Sequence, residues 1–186
     1  KAMSPSDPAA AWTTRGRNKV MFGYSLNYLI DMEHAVILDV EATPTRISKE
    51  VDATETMIER VGERFELKPK RVAGDVAYGT GEMLGWLVER EFDPHIPVWD
   101  KGKRSDGTFS REDFTYDKDR NVYICPEGKA LKTTGRLYEG KTFRYRASKF
   151  NCERCPLKMR CCPKTPARYV PRDINEEARD YTRELM

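Results

Sequence analysis

Between residues 21 and 98 the spacing of apolar side chains switches repeatedly between the period of a strand and that of a helix, and this alternation restricts the fold more than any other feature. MFGYSLNYLIDMEHAVILDV (21–40) holds two β-branched and aromatic runs around Asp31-Met32-Glu33, the pattern of an antiparallel strand pair with a tight turn. RISKEVDATETMIERVGERFEL (46–67) then sets Ile47, Val51, Ile58, Val61 and Phe65 at helical spacing. Asp52 followed by Glu55 has the spacing of a capping box and predicts that the main portion of this helix opens there. LKPKRVAGDV predicts a short strand ending at Asp75, GTGEMLGWLVEREF a second helix with Met83, Leu84, Leu87 and Val88 on its apolar side, and PHIPV a further strand. The order strand, strand, helix, strand, helix, strand is that of an α/β sheet.

From Trp99 the character changes. DFTYDKDRNVYIC and LKTTGRLYEGKTFRYRA each alternate aromatic residues around turn residues, as hairpins do. RDINEEARDYTRELM returns to helix, with Asp173 and Glu176 spaced as a capping box and Ile174, Ala178, Tyr181 and Leu185 predicted on one side. Charge divides at the same places. Residues 1–100 hold 12 Lys/Arg against 17 Asp/Glu, whereas residues 101–172 hold 19 against 8 and all five cysteines. The predicted organisation is therefore an α/β core over 1–100, a basic β-rich insertion over 101–172 and the start of a core helix over 173–186.

A mean hydropathy of −0.73 and apolar runs no longer than AVIL (35–38) exclude a membrane-spanning helix, which needs roughly 20 apolar residues. KAMSPSDPAAAW lacks the apolar core of a secretory signal, so a cytoplasmic location is expected. It also lacks an initiating methionine, and TRELM stops within a helical pattern; both ends are those expected of a piece of a longer chain.

Two constellations carry chemistry. Asp75 lies where a strand opens into a loop bearing Gly74, Gly79 and Gly81, a place from which a carboxylate reaches a metal ion or substrate on a rigid base. The plain alternative is a cap for the turn that follows. Cys125, Cys152, Cys155 and Cys161 give C-x26-C-x2-C-x5-C, with Cys162 beside the last. C-x2-C lets two thiolates hold one Zn²⁺, which takes four ligands in structural sites. Cys161 and Cys162 compete for the fourth place, and free thiols or a disulfide formed after purification are the other readings. Lys101, Lys103, Arg104, Arg136, Lys141, Arg144, Arg146, Lys149, Arg154, Lys158 and Arg160, interleaved with Tyr138, Phe143, Tyr145 and Phe150, predict a surface that grips nucleic acid through its phosphates. A solvated basic face over a minimal aromatic core is the alternative.

GDVAYG (74–79), after a strand and before a helix, resembles the second-aspartate motif of the DDE transposases of bacterial insertion sequences, which belong to the RNase H-like superfamily. SPSDPAAAW (4–12) and GYSLNYLIDMEHAVILDV (23–40) resemble that family's strand pair before the motif, and PHIPV the strand after it. YICPEGKAL with CERCPLKMRC resembles a cysteine-bearing insertion of one branch, whose spacing favours Cys161 over Cys162 as the fourth zinc ligand. The resemblance implies a partial RNase H-like core, with cutting and joining of double-stranded DNA at transposon ends. It implies two Mg²⁺ or Mn²⁺ ions about 4 Å apart on three carboxylates, and a homodimer as a form in which such an enzyme works. Asp75 alone matches that triad; the first aspartate is expected before residue 4 and the glutamate after Met186, so this piece alone is expected to be inactive. Asp31 is read as a turn acid, Asp39 as facing either solvent or the site, and Glu176, Glu177 and Glu184 as acids of a polar helix face; His34 and His95 are read as ordinary strand residues, and Tyr78 as packing beneath the loop. A zinc-ribbon nucleic-acid or protein adaptor, with Asp75 only a cap, and a metal-dependent nuclease on the same fold are the rival readings.

Overall fold

The computed structural model describes residues 3–15, 19–45, 47–100 and 104–186. Its first sheet is antiparallel in the order β1 (Ala11–Arg15), β2 (Lys19–Asp31), β3 (Val36–Pro44). Asp31 closes the turn between β2 and β3 as its residue type predicts, Oδ1 accepting from the Glu33 N–H at 2.9 Å and Oδ2 meeting His34 Nδ1 at 2.7 Å. His34 is thus a turn residue and not a strand residue. The strand that the resemblance implies over SPSDPAAAW (4–12) starts only at Ala11, with bends and turns before it, and β1 continues into TTR, which lacks the alternation that marks its neighbours.

Helix α1 (Ile47–Phe65) packs on one face of β2 and β3. Ala53, Met57, Ile58 and Val61 are buried, while Phe65 stays half exposed. The capping box predicted at Asp52 does not form, because the helix starts a turn earlier; Asp52 lies inside it and pairs with Lys49 at 2.8 Å. β4 (Arg71–Ala73) and β5 (Asp93–His95) run parallel, joined by α2 (Gly81–Glu89). The strand predicted at PHIPV (94–98) therefore starts one residue earlier and already ends at His95. Thr80 caps α2, its hydroxyl accepting from the Met83 N–H at 3.2 Å. Met83, Leu84 and Leu87 are fully buried with Ile58, Val72, Phe92 and Ile96 in one apolar cluster, each burial contributing roughly 1.5–3 kcal/mol.

The following segment builds a second core. β6 (Thr115–Asp117), β7 (Val122–Ile124), β8 (Ala130–Tyr138), β9 (Thr142–Arg146) and β10 (Tyr169–Asp173) form an antiparallel sheet in the order β10-β9-β8-β7-β6. Both predicted hairpins are present. Between β9 and β10 come two short helices that the sequence pattern hid, α3 (Lys149–Glu153) and α4 (Lys158–Cys161). Tyr123, Leu131, Tyr145 and Val170 fill this core together with Cys152, Cys161 and Cys162.

Helix α5 (Glu176–Leu185) ties the two cores together. Its Ala178 belongs to the first cluster, against α2 and β5. Glu176, 1% exposed, takes Arg111 at 3.0 Å, Arg179 at 2.9 Å and Arg183 at 3.1 Å. Arg179 also donates to the Trp99 carbonyl at 3.0 Å. Of the side predicted to be apolar Ala178 is buried, but Glu176 and Thr182 face inward with it while Ile174 and Tyr181 are exposed, because the guanidinium cluster draws Glu176 in. Of the box predicted at Asp173 and Glu176, one half forms, the Asp173 N–H donating to Glu176 Oε2 at 3.2 Å. Asp173 Oδ1 accepts from the Asn175 N–H instead.

Candidate active site and basic surface

β4 ends at Ala73, and Asp75 two residues later starts a 3-10 turn over Val76–Tyr78. Asp75 Oδ1 accepts from the Ala77 N–H at 2.7 Å, so the capping reading is correct for one oxygen. The side chain is nonetheless exposed, and its other oxygen takes no hydrogen bond or ion pair among the described residues. The loop beneath it is rigidly held. The Gly79 carbonyl accepts from the Trp99 N–H at 2.8 Å, and a Cβ at Gly79 would lie 1.9 Å from the Pro97 carbonyl oxygen. Only glycine permits that approach. Tyr78 packs against the first core as expected, and burial, with Glu50 adding, raises its phenol pKa.

None of the other acids joins Asp75. Asp39, left open between solvent and site by its sequence position, faces α1. Its carboxylate binds Arg60 at 2.6 Å, and that hydrogen bond holds its pKa below the usual carboxylate range. Glu176 is engaged by arginines and Glu177 pairs with Lys118 at 3.0 Å. His95 ends β5. A single carboxylate does not make a two-ion centre, and among the described residues no group of three or more His, Cys, Asp or Glu side chains is arranged to hold a metal ion.

All five cysteines are free and line one cavity of about 30 Å³ between the β7–β8 turn, α3 and α4. Cys125 starts a tight turn, its carbonyl accepting from the Gly128 N–H at 2.7 Å and its sulfur from the Lys129 N–H at 3.4 Å. Cys152 and Cys155 sit at the end of α3, and Cys161 and Cys162 at the end of α4. Cys162 Sγ accepts from Lys158 Nζ at 3.5 Å and contacts both Cys152 and Cys161. Burial, with Cys162 adding, pushes the Cys161 thiol up to about 12 and raises that of Cys152. Sequence spacing thus identified the residues that meet, and the fifth sulfur is as central as the other four. Their side chains, as they stand, are not set in a metal-holding geometry.

The predicted basic residues separate into two sets. Lys101 and Lys103 lie outside the described residues. Lys141 is tied to Glu82 of α2 at 2.6 Å, Lys149 pairs with Glu153 at 3.5 Å, and Arg104 donates to the Thr108 hydroxyl at 3.0 Å. Arg160 covers Phe109, and Lys158 reaches the Thr165 carbonyl and Cys162. Arg154 is exposed. Arg136, Arg144 and Arg146 instead share the outer face of β8–β10. Arg144 stacks 4.0 Å from the centre of the Tyr138 ring and 5.8 Å from that of Tyr169, and Arg136 lies 5.4 Å from Tyr138. The strand register adds Lys132 and Tyr169 beside Arg146. These two were missed because only the pairing of β8, β9 and β10 brings them there. Of the interleaved aromatics, Tyr145 is buried and Phe143 packs on the second core, Tyr138 is half-buried on this face, and Phe150 is exposed.

No helix among the described residues is long and apolar enough to cross a membrane. Searches of curated proteins and of solved structures returned no significant match. The profile of one family, described as "Transposase DDE domain", matches residues 3–155, a span that includes both sheets' hairpins, Asp75 and the first three cysteines. On that match the chain belongs to the transposase DDE domain family, whose substrate is DNA and whose chemistry runs on divalent cations.

Proposed function

We propose that the chain is the central part of an insertion-sequence transposase that cuts and joins DNA at transposon ends, with Asp75 as one of three catalytic carboxylates. The observation that carries this reading is the exposed carboxylate at the end of β4, one oxygen capping its own loop and the other open, on a backbone pinned by Gly79 and Trp99. Among the described residues β4 pairs only with β5, and residues 24–31 of β2 pair only with β3. Leu29 of β2 nonetheless packs on the same cluster as Val72 of β4. A strand from polypeptide outside this chain, set against these open edges, brings the first aspartate beside Asp75 and completes an RNase H-like sheet; the glutamate comes from a helix beyond residue 186. Magnesium or manganese, when bound there, supplies Lewis acidity toward the phosphodiester. The chain without its partner acids holds DNA but does not cut it.

In this reading residues 101–172 are an insertion into the core, since the chain returns to the first cluster at Ala178. The basic face of β8–β10 holds duplex phosphates. The structural-zinc reading rests on the five free thiols that line one cavity, soft donors on short turns. Work on nucleoid DNA places the protein in the cytoplasm. An adaptor without catalysis is favoured only by the Asp75 cap, which leaves half of that carboxylate unexplained.

The deciding experiment replaces Asp75 with Asn in the transposase that contains this chain. Loss of transposon excision with unchanged thermal stability supports the assignment, and retained excision removes it. On the chain itself, the Arg144→Ala, Arg146→Ala double variant lowers the salt slope of duplex binding by about two, and elemental analysis of reduced protein finds about one zinc per chain.

A further inference from the structure

Arg168, the residue before β10, is a buried charge that the fold leaves unanswered. It is 5% exposed. Its guanidinium lies 5.0 Å from the centre of the Phe114 ring and donates to two carbonyls, Nη1 to Cys161 at 3.3 Å and Nη2 to Phe109 at 2.8 Å. Its Nε is covered and has no hydrogen-bond partner. Arg111, Arg172 and Arg179, also well covered, each meet a carboxylate: Glu176 at 3.0 Å, Asp180 at 3.7 Å and Glu176 at 2.9 Å. Among the described residues no acid does this for Arg168; the groups close enough to act on its charge are Arg104, another cation, and Cys161, Cys162 and Tyr169.

A guanidinium keeps its proton inside a protein, and burying it without an opposite charge is costly. The groups placed to answer it are sulfurs. Arg168 holds the carbonyl of Cys161, and its backbone hydrogen-bonds Cys152. A second cation, Lys158, reaches Cys162 Sγ at 3.5 Å. At the mouth of the cavity the exposed Glu127 and Lys129 offset one another. As neutral thiols the cysteines supply no charge to either cation. Four thiolates around one divalent ion leave two negative charges, and Arg168 with Lys158 supplies two positive ones.

We infer that Arg168 is the fixed counter-charge of a metal–thiolate centre in the cysteine cavity, a positioning residue that sets the affinity of the site for zinc without ligating it. Lys158 is the second, partly exposed cation of the same balance. The inference rests on the structural-zinc reading and adds the residue on which the strength of that site depends. It also accounts for a buried arginine that no carboxylate explains. Because Arg168 holds Phe109, whose N–H donates to the Arg160 carbonyl at 2.9 Å, the same side chain fastens the segment before β6 to the cluster.

Competition with a chromophoric chelator measures the zinc Kd of the reduced protein. Arg168→Met, which keeps an apolar stem, is expected to raise that Kd by roughly 10–100-fold, and Lys158→Met by roughly tenfold. Arg168→Lys, which keeps a cation there, raises it far less than Arg168→Met. Lys164→Met, which removes an exposed charge near the cluster, changes it by no more than about twofold. Thermal melts with and without zinc separate this role from packing: in Arg168→Met the midpoint gained on adding zinc shrinks, whereas a residue that only fills the core lowers both midpoints alike and leaves Kd unchanged. An Arg168→Met protein that binds zinc as tightly as the parent overturns the inference and leaves the zinc reading standing; a parent that binds no zinc removes both. Should Arg168→Met not fold, Lys158→Met reads the same balance at a partly exposed position, and an unchanged Kd there overturns it equally.

Discussion

At Gly79 a hydrogen atom decides whether the Asp75 loop holds its shape. A methyl group there collides with the Pro97 carbonyl and also comes within 2.7 Å of the Trp99 nitrogen, and neither backbone atom is free to yield. Gly79→Ala is expected to destabilise the chain by about 1–3 kcal/mol, read as a lowered urea midpoint, whereas the same change at Gly128 meets no neighbouring atom but is opposed by a φ of +71°. Asp39 gives a pH-dependent signal. Its folded-state pKa is depressed by Arg60, so the stability it contributes is present above its unfolded pKa of about 3.9 and is lost as pH falls through the lower folded value. Arg60→Met is expected to flatten that acid limb below roughly pH 4 in a thermal-melt series, and an unaltered limb contradicts the assignment. Asp75 was legible as a cap or a ligand because both roles follow from local sequence. Glu176 was not legible as a buried counter-ion, since Arg111 reaches it from the other core and no spacing rule connects them.

Elements built from local contacts were the readable ones. The two hairpins, α1 and α2 follow from period and turn residues; β1, β10, α3 and α4 do not, because each is short: β1 lacks strand alternation although it pairs with the adjacent β2, and β10 pairs with β9 only across α3 and α4. The Asp52 box failed since a capping pattern inside a long amphipathic run competes with continued helix, and burial of Ala53 and Met57 favours the helix. Thr80 is a working cap by contrast. Thr80→Ala is expected to cost about 1 kcal/mol and Thr80→Ser close to nothing, with hydrogen exchange rising first at the amide of Met83.

Across the molecule, the alternation of strand and helix fixed the α/β character of the first core, while the joining of the two cores was invisible before the chain was folded. That joining rests on Glu176. Replacing it with alanine leaves Arg111 and Arg179 without their nearest carboxylate in a covered site, and the loss is expected to reach about 3–5 kcal/mol. Guanidinium denaturation should then show two transitions where the parent shows one, and a single unshifted transition would contradict the role given to α5. The same residue closes a short polar path: Arg111 to Glu176, Glu176 to Arg179, Arg179 to the Trp99 carbonyl, and the Trp99 N–H to Gly79 beneath Asp75. A load applied to the β-rich half thus arrives at the footing of Asp75 along stiff, directional bonds and not across a slack tether, so that in the transposase proposed above strain imposed by a bent or twisted double helix would reach this carboxylate as torque.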